Sequence, residues 1–114
     1  MPPRCQIRAL ALLFPFFLGC GPVAYLKEVS TRAAIALEQA KADDAERYAP
    51  YELTKASLYY DKAREEAGHA HFQNAIDWGR RSRDCSQRAS ALARAAHAPG
   101  RGELARPIQT CGEP

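Results

Sequence analysis

From about Val23 onward, apolar side chains recur at steps of three and four, the rhythm that lines up one face of an α-helix. Leu26, Val29, Ala33, Ala36 and Ala40 form a first stripe, with Glu28, Arg32, Glu38, Lys41, Asp43 and Glu46 mostly off it as a solvated surface. Pro50 lacks an amide hydrogen and disfavours helix in the residue before it, so this helix is predicted over about 23–48. The same proline suits the first turn of a second helix, about 50–68, whose seam runs through Leu53, Ala56, Tyr60, Ala63, Ala67 and Ala70. Gly68 is expected to close it in the left-handed conformation, with His69 to His71 making the turn. A third stripe, Phe72, Ala75, Gly79, Ser82, Ser86, Ala89, Ala93 and Ala96, predicts a helix over about 72–98, stopped by Pro99-Gly100. No alternating, strand-like run appears. The pattern therefore predicts an all-α fold, an antiparallel three-helix hairpin or bundle over residues 20–98. Trp78, Ile76 and Leu58 lie partly off the seams and are expected to widen the core, the alternative being an exposed apolar patch. Residues 99–114, rich in Pro, Gly and Arg, are expected to form a disordered tail.

Ahead of the helices, Arg4 and Arg8 precede a ten-residue apolar run from Ala9 to Leu18, the layout of an export signal over residues 1–19. At about 1.5 Å per residue such a run reaches half of a hydrocarbon core roughly 30 Å thick, and Pro15 interrupts it further. Immediately after it, Phe17-Leu18-Gly19-Cys20 resembles the lipobox of bacterial lipoproteins, with Phe17 where leucine is usual. That resemblance implies a diacylglycerol on the Cys20 thiol, cleavage between Gly19 and Cys20, and acylation of the new N-terminus with a chain such as palmitate. A cut elsewhere by the ordinary signal peptidase is the alternative, and the place of Cys20 at the end of the apolar run weighs against it. Gly21 stands where an Asp would favour the inner membrane, so by the same resemblance the expected location is the periplasmic face of the outer membrane.

Charge and composition narrow the field. The formal charge is +3, but two of the 16 basic side chains leave with the leader, and 13 acidic ones bring the mature chain close to neutral. A nucleic-acid binder is not indicated. The 22 alanines favour a thin helical packing over a thick core. Residues 28–66 hold nine acidic and six basic side chains, whereas 77–106 hold three and seven. Helices that attract one another explain this, and a basic face for an acidic partner or anionic lipid is the alternative. Arg80, Arg81 and Arg83 are the densest basic cluster and the candidate interaction face. Cys5 lies in the leader, so with Cys20 lipidated the remaining thiols are Cys85 and Cys111, which can pair in an oxidising compartment. Sequence alone does not give connectivity.

Candidate chemistry is sparse. His69 and His71 straddle Ala70 and are weak candidates for a metal site, with Asp77 the nearest further donor and no third ligand evident. His97 suits the C-terminal end of a helix dipole. Glu65-Glu66 and Asp43-Asp44 are neighbours on a helix, about 100° apart, and cannot converge as an acid/base pair. No Gly-rich phosphate loop, Gly-x-Ser-x-Gly elbow or His-Glu-x-x-His helix is present. The reading is a non-enzyme without a cofactor, tethered to the membrane, with a structural or adaptor role toward an envelope protein or the cell wall. The alternative is a small ligand- or metal-binding protein using His69 and His71 with Tyr59, Tyr60 and Trp78 nearby.

The stretch Ala45-x2-Tyr48-Ala49-Pro50-x-Glu52-Leu53-x2-Ala56, followed by Tyr60-x2-Ala63-x2-Glu66-Ala67 and Phe72-x2-Ala75, resembles domain-of-unknown-function family 4398. These are small envelope lipoproteins of Gram-negative bacteria, and the likeness covers roughly Val23 to Ala96. It implies a helical, exported protein and no particular activity.

Overall fold

The computed structural model describes residues 20–98 and 111–112, so the leader, Gly19 and most of the expected tail lie outside the described residues. A first helical arm consists of α1 (Cys20–Tyr25), a π-helical stretch (Leu26–Ala33) and α2 (Ala34–Ala42). A single turn, α3 (Ala45–Tyr48), then leads to α4 (Pro50–Gly68) and α5 (Phe72–His97), and no strand occurs among the described residues. The fold is all-α. α4 and α5 pair antiparallel, since the Ser82 hydroxyl donates to the Ala56 carbonyl at 2.8 Å and Trp78 stacks near Tyr59 at 5.4 Å. The first arm runs parallel to α5, with Tyr25 beside Phe72 at one end and Asp43 beside Ser90 and Arg94 at the other. The result is an up-down-up bundle.

Small residues hold the helices close. Ala56, Ala63, Ala75, Ser82, Ser86, Ala89 and Ala93 are buried along the expected seams, joined by Leu53, Ile76 and Cys85. Val29 meets α5 at Gly79, where an added Cβ would lie 2.6 Å from the Val29 Cγ2, so this crossing needs the bare glycine backbone. Ile76 widens the core and Trp78 is half-buried, whereas Leu58 stands 64% exposed.

Four expectations change. The first stripe keeps Val29, Ala33 and Ala40, but Leu37 is buried, Ala36 only half so, and Leu26 is 57% exposed. The π stretch is the cause: hydrogen bonds that reach five residues back instead of four wind the arm more widely, so the three-and-four rhythm of an α-helix no longer aligns Leu26 with Val29. Thr31 supports the wide turns by donating its hydroxyl to the Leu26 carbonyl at 3.2 Å. The same turn swings Glu28 inward, where the sequence pattern had placed it in solvent.

The first helix also stops earlier than Pro50 requires. Asp44 adopts φ 61°, which aspartate tolerates better than most residues, and the break lets Ala45 of α3 and Ala49 just after it reach the core. At the α4–α5 turn, Gly68 remains helical and Ala70 takes the left-handed conformation, φ 60°. His71 N–H donates to the Glu66 carbonyl and Ala70 N–H to that of Ala67, each at 2.9 Å, the paired bonds of a Schellman cap. Finally, the expected tail is tied down near its end, where Cys111 and Gly112 are buried.

Candidate binding groove

A concavity lies between the first arm and α5. It is a groove of about 710 Å³ lined by Arg32, Ile35 and Gln39 from the arm and by Arg83, Gln87 and Arg94 from α5, with Ala36, Ser90 and Ala91 between them. Positions 83, 87, 90 and 94 are steps of four, three and four, so one face of α5 supplies its whole side. No acidic side chain is among the described residues that line it.

Acids lie under the arginines instead. Glu28 is buried, and each carboxylate oxygen meets a guanidinium: Arg32 Nη1 at 3.4 Å from Oε2, and Arg83 in an ion pair with Oε1. At the other end Asp43 accepts from Arg94, at 2.9 Å from Nε and 2.8 Å from Nη2, from the Ser90 hydroxyl, and from Gln39 Nε2 at 3.2 Å. Arg94, then Ser90, hold the Asp43 carboxyl below the usual range, and Asp43 raises Arg94 in return. These pairs fix the arginine stems while leaving donors over, because a guanidinium carries five N–H groups. Beyond them His97 packs edge-on against Tyr48 at 4.7 Å and lies 3.5 Å from Asp44.

The structure does not gather Arg80, Arg81 and Arg83 into one face. Arg80 pairs with Asp77 at 3.3 Å, Arg81 lies over the Trp78 ring at 4.7 Å, and Arg83 turns to Glu28. Consecutive helical positions diverge by about 100°, which accounts for the split. His69 and His71 have ring centroids 6.0 Å apart, and His71 Nδ1 is occupied by Glu66 at 3.1 Å. Asp77 is engaged by Gln73 and Arg80, and no group of three or more potential ligands capable of holding a metal ion occurs among the described residues. Lys62, His71 and Asn74 together keep the Glu66 carboxyl low. Tyr59 and Trp78 do meet, but beside the disulfide rather than at the histidine turn.

Cys85 and Cys111 are brought together as a disulfide, with Cα atoms 5.0 Å apart. Gly112 follows at φ 74°, its amide donating to Asp84 Oδ2 at 3.0 Å and its α-carbon against Tyr59 and Arg81. Cys20 is the first residue of α1. Among the described residues no helix is long and apolar enough to cross a membrane.

Glu28, Arg32, Ile35 and Arg94 were not singled out from sequence. The spacing of Arg83, Gln87, Ser90 and Arg94 along one helical face was available as a signal. The facing half was hidden, because the π stretch changes which residues of the arm point toward α5. Comparison with protein-family models, curated proteins and solved structures gives no match for this chain.

Proposed function

We propose that this protein is a lipid-anchored, non-catalytic component of the bacterial envelope, held through Cys20 at the periplasmic face of the outer membrane and serving there as a structural or adaptor element. The observation that carries the reading is Phe17-Leu18-Gly19-Cys20 at the end of a ten-residue apolar run. A thiol at that position is set up for a diacylglycerol, and acyl chains contribute about 0.8 kcal/mol per buried methylene, so two or more give a stable tether. The Cys85–Cys111 bridge supports export, since such bonds persist in oxidising compartments. An adaptor needs exposed surface more than reactive groups, and Ile35, Tyr51 and Leu58 supply apolar contacts of that kind.

Radiolabelled palmitate fed to cells making the full chain tests the anchor. Label is expected in the wild type and lost in Cys20→Ala. An unlabelled wild-type chain, or a mature N-terminus mapped well past residue 20, would overturn the reading.

A further inference from the structure

We propose that the groove between the first arm and α5 receives the outer face of α4 from a second copy of this chain, so that anchored molecules associate side by side. Two surfaces on opposite flanks of the bundle carry this inference. The first is the groove, lined by Arg32, Arg83 and Arg94 together with Ile35, itself 64% exposed. The second is a stripe on α4, Tyr51, Thr54, Leu58, Asp61 and Glu65, every member of it exposed. Its steps of three and four give a heptad-like seam that has no counterpart among the described residues. Leu58 is 64% exposed and Tyr51 61%, two large apolar side chains seven residues apart on the face of α4 opposite the buried Leu53, Ala56 and Ala63.

The two surfaces complement each other. Leu58 offers an apolar side chain to Ile35, and Asp61 and Glu65, one and two turns further along and the second paired with Lys62 at 3.0 Å, bring carboxylates to a groove where Arg32 and Arg83 share the single carboxylate of Glu28 and leave one positive charge over. Ala36 and Ala91, small side chains in the groove lining, leave room for a third helix to approach. Arg83 and Arg94 stand about 16 Å apart along α5, and the stretch from Leu58 to Glu65 is about 10 Å long, so the acidic half of the stripe fits within the groove. The occupant is thus read as an amphipathic helix lying in a groove.

The buried seam of α4, through Leu53, Ala56 and Ala63, faces the other two helices, so the exposed stripe points away from the groove. A contact between the two is therefore heterologous, and it repeats from molecule to molecule instead of closing on itself as an isologous pair does. The inference deepens the structural reading above, and tethering would favour it by confining molecules to a surface. It does not require the anchor.

Photo-crosslinking in cells producing the full chain tests it, with a benzophenone amino acid placed at Ile35 in one strain and at Leu58 in another. The expected result is a ladder at multiples of the chain mass, with adducts from position 35 mapping to 51–65 of another copy and adducts from position 58 mapping to the groove. Asp61→Arg with Glu65→Arg should lower the adduct yield about tenfold. Helical circular dichroism should be unchanged, because both side chains are exposed. Adducts only to another protein or to lipid, no adduct between copies, or a yield indifferent to the charge reversal would each overturn the proposal. Palmitate labelling of the same strains reads the anchor separately, so failure of either idea is visible without the other.

Discussion

Moving one methyl group from position 70 to position 68 should stabilise the bundle by about 1.5 kcal/mol. Gly68 sits inside the last turn of α4 with nothing within 4 Å of an added Cβ, while Ala70 holds the left-handed conformation at φ 60°. Alanine in a helix is favoured over glycine by about 1 kcal/mol, so Gly68→Ala should stabilise by that amount. Ala70→Gly removes a steric cost of about 1–2 kcal/mol but enlarges the unfolded ensemble by about 0.4–1 kcal/mol, leaving a net gain near 0.5 kcal/mol. For a domain of this size the double variant should melt about 6–12 °C higher. Urea unfolding with the disulfide intact, followed by circular dichroism, gives the two single variants and the double. A destabilised Gly68→Ala would refute the helical assignment of that residue. A destabilised Ala70→Gly would mean that the cap does not carry the left-handed residue at position 70.

The Val29–Gly79 crossing makes the opposite demand. Gly79→Ala should cost about 1–2 kcal/mol despite its better helix propensity, and pairing it with Val29→Ala should give a loss smaller than the sum of the two, as read by a double-mutant cycle in urea. Asp43 gives a pH signature. Its carboxyl lies below the ordinary 3.8 through Arg94 and then Ser90, so its contribution is full above that value and is lost as pH falls through the lower folded one. Urea midpoints should therefore drop less steeply below about pH 4 in Asp43→Asn than in the wild type, and equal slopes would refute the pairing. Reducing the disulfide, which spans 26 residues, should destabilise the fold by at most about 3.5 kcal/mol.

Much of the helical layout was legible because alanine and serine at steps of three and four leave little choice of face. The seams of α4 and α5 follow those steps through Leu53, Ala56 and Ala63 and through Ala75, Ser82, Ser86, Ala89 and Ala93. What escaped were departures from regular geometry. An eight-residue π stretch shifts the inward face of the arm by about one residue, and no local pattern at Leu26–Ala33 announces it. Asp44 and Ala70 in the left-handed region were invisible for a similar reason, since the first was masked by the stronger Pro50 signal and the second lies two residues from a more obvious glycine. The groove was only half legible, because the arginines of α5 find their acids on a different helix, at Glu28 and Asp43.

The return of residue 111 to the flank of α5 has a practical side. Cys85 stands midway along that helix, so the disulfide holds residue 111 at the middle of α5, not at either end. Gly112 rests on Tyr59 and Arg81, and both of those side chains also touch Trp78, the chain's single tryptophan. Indole fluorescence is therefore a built-in optical gauge of whether Gly112 is docked, readable without any added dye.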